Sequence, residues 1–238
     1  MRIKSLFHSL IPLYLLILGG VLIFAAVGSH AYTVYSENAI TDTRQCIIID
    51  PGHGGVDGGA TSCTGVLESQ INLDISLRLN DLLQLMGIKT VMIRTTDCSI
   101  HSEGETIAAK KVSDLKNRVA IVNHTSDALL VSIHQNYYPD SRYSGAQVFY
   151  SLEKGSAELA KTLQSLFVET LNPGSNRKAK KASGIYLMDK IKNPGVLIEC
   201  GFISNTEEEQ KLRDSQYQKK LCCVIASCCS QYLYNTSA

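Results

Sequence analysis

Two histidines and two glutamates occupy positions where chemistry is expected. His53 follows the apolar run CIIID (46–50) in DPGHGGVDGGA, a glycine-rich loop that offers a side chain little packing and costs folding entropy. Glu68 opens a predicted helix, His134 ends the run ALLVSIH, and Glu199 lies within GVLIECGF. Two imidazoles and one carboxylate form an open zinc site, and another carboxylate can serve as a general base toward water. The four residues therefore supply three metal ligands and one base.

The predicted order of strands and helices brings these residues to one place. Apolar runs and helical patterns alternate after residue 45, which predicts a single α/β domain with a twisted, mostly parallel sheet and helices on both faces. The carboxyl ends of strands 46–50, 128–134 and 195–199 then share one edge of the sheet. Glu68 starts the helix after the first strand, at the same edge. We expect the four side chains to converge there, with Asp57 as an acceptor that orients the loop or a ligand.

Each residue also has a structural alternative when it is taken alone. His53 can fill a turn, His134 can be a hydrogen-bonded histidine at a strand end, and Glu68 can be an exposed first-turn glutamate favoured by the helix dipole. A structural role is harder to assign to Glu199, because burying a carboxylate in an apolar run is costly. The other histidines lie beside the apolar N-terminal run, in a polar loop or near a helix end, and are predicted not to bind metal: His8, His30, His101 and His124.

The remaining segments complete the predicted α/β pattern. Strands are predicted over 88–94, over GAQVFYSL (145–152) and over IYLM (185–188). Helices are predicted over 67–86, from an N-cap at Ser113, over 156–171, and after a capping box at 205–208.

The N-terminus predicts export of the domain. Arg2 and Lys4 precede an almost wholly apolar run over 10–27, long enough to cross a bilayer as a helix. Residues 1–31 are therefore predicted to be a transmembrane anchor. A cleaved signal peptide is the alternative, because Ser-His-Ala at 29–31 resembles a cleavage site. Either way, the linker 32–45 and the catalytic domain 46–238 lie on the extracytoplasmic side, at the cell membrane or in the envelope.

Charge and cysteine spacing exclude some classes of protein. The formal net charge is +1, there is no tryptophan, and the aromatic residues are not interleaved with basic clusters, so nucleic acid is not an expected partner. An exported chain with eight cysteines usually suggests disulfides. However, four of them form two adjacent pairs in the predicted helix LCCVIASCCSQYL, which is neither a disulfide framework nor a Cys-x-x-Cys zinc spacing. We expect buried, unpaired thiols.

Four motifs in order carry a family resemblance: DPGHGGVDGGA, LESQINLDISLRLNDLL, DALLVSIHQN and PGVLIECGFISNTEE. Across residues 46–235 the chain resembles the zinc-dependent N-acetylmuramoyl-L-alanine amidases of the amidase 3 family. The resemblance implies a mostly parallel α/β fold in which His53, Glu68 and His134 bind one Zn²⁺ and Glu199 is catalytic. It implies hydrolysis of the peptidoglycan amide between the lactyl group of N-acetylmuramic acid and L-alanine.

Within that family, three further segments resemble the spore-cortex amidases of endospore-forming bacteria: SGAQVFY, DLKNRVAIVNH and NRKAKKASGIYLMDKIKNPG. This implies cortex glycan strands with stem peptides as substrate, and a downstream deacetylase that completes muramic-δ-lactam, the mark read in germination. With no wall-binding module in the sequence, the enzyme is expected to depend on its membrane location or an accessory protein. Gln135 and Cys200 depart from the commoner family residues without removing a functional atom.

Other residues and other functions stay open. Arg94 and Arg177 can pair with substrate carboxylates, or can serve a fold-stabilising ion pair or a solvated loop. Asn136 can bind substrate or hold a turn. The metal residues alone do not separate an amidase from another exported zinc peptidase or deacylase. A non-catalytic wall-binding protein is a third possibility, although such a protein has no use for a base.

Overall fold

The strands that the sequence predicts form one sheet. The structure is a computed structural model that describes residues 45–236. Its strands are β1 (Cys46–Pro51), β2 (Thr90–Met92), β3 (Ala128–Asn136), β4 (Gln147–Tyr150), β5 (Lys180–Lys181) and β6 (Gly195–Phe202). They lie in the order β2-β1-β3-β6-β4-β5, and every neighbouring pair is parallel except β4 and β6. The predicted mostly parallel α/β sheet is confirmed.

Helices cover this sheet on its two faces. They are α1 (Glu68–Leu85), α2 (Ile107–His124), α3 (Ser156–Thr170), α4 (Tyr186–Lys190), α5 (Thr206–Arg213) and α6 (Ser215–Thr236). Successive side chains of a strand point to opposite faces, so β1 contributes to two cores. Ile47 and Ile49 pack with α1, α3 and α6, whereas Ile48 packs with α2 and α4. This explains why the strands read as continuous apolar runs.

The strand predicted over IYLM is wrong, because the chain forms the short helix α4 there. Leu187 and Met188 are adjacent and both buried. Four apolar residues contain no period that separates a strand from a single helical turn. The N–H of Gly184 donates to Asp189 Oδ2 at 3.1 Å, which ties the start of this segment to its helical turn.

The predicted start of α2 also differs from the observed one. Helix α2 begins at Ile107 with Thr106 as its N-cap, whereas the predicted cap, Ser113, lies buried inside the helix. Its hydroxyl accepts hydrogen bonds from the backbone of residues 102–103, so it caps the preceding loop instead.

At α5, Asn205 acts as the predicted N-cap and accepts from the backbone N–H of Glu207 and Glu208. The reciprocal half of the capping box is absent there. The Glu208 carboxylate instead accepts from the N–H groups of Gly145 and Phe202, and so joins the start of α5 to β6 and the β3–β4 loop.

The predictions for residues 1–31 and for the linker up to residue 44 lie outside the described residues. The compact unit that contains the sheet begins at Gln45. Within residues 45–236, no helix combines the length and the apolar character needed to span a bilayer.

Candidate metal centre and active site

The sheet brings two of the predicted residues side by side. His134 on β3 and Glu199 on β6 are direct register partners. Partners in adjacent parallel strands point to the same face, so both side chains lie at one place on the sheet. The loop after β1 supplies His53, and the first residue of α1 supplies Glu68. One donor atom each from His53, Glu68 and His134 lies within 4.8 Å of the other two.

Glu68 lies between the two histidines and is held from several sides. Its Oε1 lies 3.0 Å from His134 Nδ1, and its Oε2 lies 3.3 Å from His53 Nε2. The backbone N–H groups of Ala60 and Gln135 donate to the two carboxylate oxygens at 2.9 and 3.1 Å. The residue is 4% exposed. Glu68 is therefore not the exposed first-turn glutamate of the structural alternative.

His53 adopts a backbone conformation that is rare for a residue with a side chain, with φ of 61°. Asp57 Oδ2 lies 2.8 Å from His53 Nδ1, which orients the ring and leaves Nε2 toward Glu68. Glycine is required close by, because a Cβ on Gly59 would come within 2.6 Å of Glu68 Oε2. A Cβ on Gly52 would collide with the His134 ring at 2.3 Å. The glycines quoted from the sequence thus permit close approach of the chain to the cluster.

The electrostatics of the cluster favour a bound positive charge. Burial lowers the pKa of His53, but hydrogen bonds and charges from Asp57 and Glu68 outweigh it and raise the pKa to about 9. Burial opposes ionisation of Glu68, yet hydrogen bonds with His134 and His53 hold its pKa well below the usual range. A metal-bound histidine must be neutral, so a cation at this cluster would displace the proton from His53 and take its place between the acidic groups.

Glu199 differs from the other members of the cluster. Its Oε2 is buried and has no hydrogen-bond partner among residues 45–236. Burial raises its pKa to about 7, with a further increase from Glu68, although His134 and His53 act in the opposite direction. A carboxylate with a pKa near neutrality can take up and release a proton during a reaction. The buried, unpaired oxygen is thus chemically suited to a base.

A buried ion cluster that sequence reasoning missed supports the His53 loop. Arg118 of α2 is 2% exposed and pairs with Asp50 at the end of β1 and with Asp114. It also donates to the carbonyl oxygens of Pro51 and His53, at 2.9 and 2.7 Å. Asp50, at the end of a fully apolar strand, was the sequence feature that could have indicated this cluster. A buried charge needs a partner of opposite charge. Its partner lies 68 residues away, beyond the reach of local pattern.

The structure corrects the expectation for Arg94. This side chain is 3% exposed and donates to four backbone carbonyls, those of Pro51, Gly52, Ser69 and Thr96. Its guanidinium is occupied in fastening the His53 loop to α1 and to the loop after β2. Arg94 therefore holds the backbone of the site, and the predicted pairing with a substrate carboxylate is not supported.

The other two candidate substrate residues lie near the carboxyl ends of β3 and β6. Arg177 is half-buried, donates to Ser144 O at 2.9 Å, and lies with its Cζ 4.7 Å from the centre of the Phe202 ring. Asn136 is half-buried at the end of β3, where its carbonyl accepts from Ile203 N.

The predicted non-ligands within the described residues lie apart from the cluster. His101 Nδ1 is 2.9 Å from Ser99 Oγ, and His124 Nδ1 is 2.7 Å from Ala120 O. None of the eight cysteines, which all lie within residues 45–236, forms a disulfide, and five are buried; Cys98 is half-buried, and Cys63 and Cys223 are exposed rather than buried.

A cavity of about 160 Å³ opens beside the two histidines, between α2 and α4. His53 and His134 form part of its wall, and Leu115, Ile185 and Leu187 provide an apolar surface. The cluster is therefore accessible from this side rather than sealed in the core.

Comparison with known proteins gives consistent matches. Residues 47–229 match the family described as N-acetylmuramoyl-L-alanine amidase. The chain is 40% identical over 181 residues to the germination-specific N-acetylmuramoyl-L-alanine amidase of Bacillus subtilis, covering 75% of this chain and 76% of that protein.

Solved structures agree with the sequence comparison. The CwlD amidase from Clostridioides difficile, determined in complex with the GerS lipoprotein, is similar with a TM-score of 0.76 and 37% identity, covering 80% of this chain and 99% of that one. An N-acetylmuramoyl-L-alanine amidase from Clostridium difficile 630 is similar with a TM-score of 0.69 and 32% identity, covering 80% and 97%.

Proposed function

The chain belongs to the N-acetylmuramoyl-L-alanine amidase family, and from this premise we propose that it is a zinc-dependent amidase of the spore cortex. Its activity is hydrolysis of the amide that joins the stem peptide to N-acetylmuramic acid. One observation supports the metal-dependent form above all others. The donor atoms of His53, Glu68 and His134 lie within 4.8 Å of one another, next to Glu199, whose Oε2 is buried without a hydrogen-bond partner among residues 45–236.

The residues present fit one zinc ion. Two imidazoles and one carboxylate are the donor set of an open zinc site, in which a position remains for water or substrate. Asp57 on the far nitrogen of His53 is the outer partner that zinc-binding histidines commonly have. In this proposal His53, Glu68 and His134 hold the ion. When bound, Zn²⁺ supplies a Lewis acid toward the amide carbonyl and makes water a better nucleophile at neutral pH.

Glu199 is the proposed proton carrier. Its free Oε2 accepts a proton from the attacking water as the new C–O bond forms at the lactyl carbonyl. The same oxygen then gives the proton to the L-alanine nitrogen as the C–N bond breaks. The products are a muramic acid with a free lactyl carboxyl group and a stem peptide with a free amine. No net proton remains on Glu199 after the two transfers.

Substrate contacts beyond the reacting amide are proposed for two residues. Arg177 retains a partly exposed guanidinium next to Phe202 and can pair with a carboxylate of the stem peptide. Asn136 lies two residues beyond His134 and can donate its side-chain amide to the substrate backbone.

The cellular setting follows from the N-terminal sequence and from the relatives. An apolar segment over 10–27 would hold the domain on the extracytoplasmic side of the membrane, or direct its secretion there. Because the similar Clostridioides difficile amidase was solved with a lipoprotein, we propose an accessory lipoprotein for this chain too. A deacetylase is the proposed next enzyme, acting on the peptide-free muramic acid.

Analysis of products from purified cortex tests the activity. The full-length chain with zinc should release stem peptides that begin with a free L-alanine amine, together with peptide-free muramic acid, detected by mass spectrometry. Cleaved cross-links with intact lactyl amides would instead indicate a zinc peptidase. Binding of cortex without any new ends would indicate a wall-binding protein.

A further inference from the structure

The loop after β3 exposes three tyrosines next to the site. Tyr137, Tyr138 and Tyr143 are 54%, 48% and 47% exposed. We call these three residues the tyrosine surface. Rings that are half in water contribute little to the core, and exposed aromatic groups close together commonly mark a binding site.

The tyrosine surface is held in place rather than hanging free. The rings of Tyr138 and Tyr143 pack edge to face with centroids 4.6 Å apart, and Tyr143 lies 6.1 Å from Phe202. The backbone of the loop is fixed by Ser204 Oγ, which accepts from Tyr138 N at 3.0 Å, and by Asn205 Nδ2, which donates to Tyr143 O at 3.3 Å. A surface ordered before binding loses less entropy when a ligand arrives.

Its position is set by the sheet. His134 is the register partner of Glu199, and Asn136 is the register partner of Phe202, on which Tyr143 packs. The tyrosine surface therefore begins immediately beyond the reactive residues, at the carboxyl end of the same two strands. The groups joined to the reacting amide are therefore the parts of the substrate nearest to this surface.

The chemistry of the substrate indicates which part lies there. The amide to be cut hangs from a lactyl group on a sugar ring, so that sugar must lie close to Glu199. A pyranose has apolar C–H faces and a rim of hydroxyl groups, which match the apolar ring and polar tip of tyrosine. The stem peptide has small side chains and carboxylates, which suit Arg177 better. We infer that the tyrosine surface binds sugar rings of the glycan strand by stacking.

This inference rests on the proposed function, and a binding measurement separates the two. The full-length Glu199→Gln chain, loaded with zinc, is titrated by calorimetry with a peptide-free tetrasaccharide of alternating N-acetylglucosamine and N-acetylmuramic acid. Tyr138→Ala in that background should weaken binding about two- to tenfold, the range expected for loss of one ring contact. Tyr138→Phe, which keeps the stacking face, should retain at least half of the affinity.

Tyr234 provides the matched control. It is 80% exposed at the end of α6, away from the site, so Tyr234→Ala should bind the tetrasaccharide like the parent. Thermal unfolding of each variant shows whether the loop change disturbs the fold. Unchanged affinity in a folded Tyr138→Ala chain would overturn the inference, as would equal losses in the Tyr138 and Tyr234 variants. Amide cleavage by the unmodified chain, measured in parallel, tests the proposed function independently.

Discussion

At the residue scale, the surroundings of Glu68 and Glu199 suit these two glutamates to different roles. The Glu68 carboxylate lies 3.0 and 3.3 Å from a ring nitrogen of His134 and of His53, and it accepts from two backbone N–H groups, so its position is fixed. Glu199 has a buried oxygen without a partner among the described residues and a pKa raised to about 7. Environment, rather than residue type, thus suits one carboxylate to metal binding and the other to proton transfer.

This division predicts the behaviour of Glu199→Gln. The amide has nearly the same shape but cannot take the proton from water, so turnover on cortex should fall by about 10²–10⁴-fold. Zinc content, measured by elemental analysis of the purified protein, should stay close to one ion per chain. Glu207→Gln, an exposed change on α5, serves as the control and should keep both activity and zinc. A fully active Glu199→Gln chain would exclude Glu199 from the mechanism.

At the element scale, α2 contributes to the site through its buried arginine. Arg118 lies between Asp50 at the end of β1 and Asp114 one helical turn earlier, and it also binds two carbonyls of the His53 loop. Although burial opposes ionisation of Asp50, the Arg118 guanidinium is the main group that holds the pKa of this carboxyl below its usual range. The helix thereby fixes a loop whose backbone is strained at His53.

Replacing Arg118 by an uncharged residue should destabilise the folded domain. Arg118→Met leaves the buried carboxylates of Asp50 and Asp114 without their guanidinium partner, and the free energy of unfolding in urea should fall by about 3–5 kcal/mol. Because the pKa of Asp50 is lowered in the folded wild type, its contribution to stability is present above pH 3.8 and is lost as the pH falls below it. The difference in the free energy of unfolding between wild type and variant should therefore become smaller at acidic pH.

An exposed ion pair provides the control for this change. Arg142 is 88% exposed in its side chain and pairs with Asp140 on the β3–β4 loop, where water screens the interaction. Arg142→Met should leave the unfolding midpoint unchanged. Similar losses in the Arg118 and Arg142 variants would contradict the assigned role of the buried cluster.

Two adjacent cysteines of α6 differ in exposure, and this difference predicts how fast each thiol is alkylated. Cys222 is buried, and burial raises its pKa to about 12, whereas Cys223 faces solvent. Alkylation requires the thiolate, which a buried thiol with so high a pKa hardly forms at pH 8. Iodoacetamide should therefore modify Cys223 and the exposed Cys63 in the folded chain but leave Cys222 unmodified, as read by peptide mass spectrometry.

The denatured chain is the control for labelling. In concentrated urea all eight cysteines should react, because burial is lost and no disulfide protects them. Equal labelling rates at Cys222 and Cys223 in the native chain would mean that α6 does not pack as described.

The elements also show where sequence patterns stop being informative. Long apolar strands such as β1, β3 and β6 were predictable because their composition matches burial on both faces. The start of α2 was not predictable in this way, because Ile107 is 65% exposed and the first turns of the helix bury no apolar face. The Arg118 cluster joins residues far apart in sequence, and such pairs follow from tertiary packing that no local pattern contains.

At the scale of the whole molecule, a parallel sheet turns distant residues into one site. The three proposed ligands come from the loop after β1, the first turn of α1 and the end of β3, and the proposed base comes from β6. This convergence was predictable from the alternation of strands and helices along the sequence, because the carboxyl ends of parallel strands lie at one edge of the sheet. The sequence did not indicate that Arg94 holds the backbone of the site. That role is visible only from its hydrogen bonds in the structure.

Because the ligands come from separate elements, zinc should stabilise the whole domain. A cation that binds the folded chain only, at a free concentration one hundredfold above its Kd, adds about 2.7 kcal/mol. For a domain of this size the melting temperature should rise by roughly 5–10 °C relative to the chelator-treated chain. His134→Ala removes one ligand and should bind little zinc, so its melting temperature should be the same with and without the metal.

His124→Ala is the matched control for that experiment. Its ring is exposed at the end of α2 and contacts a backbone carbonyl rather than the cluster, so the full zinc-dependent shift should remain. Differential scanning calorimetry on the three proteins, each with zinc and with chelator, measures the effect directly. If zinc still raised the melting temperature of His134→Ala, the stabilising ion would bind somewhere other than at His53, Glu68 and His134.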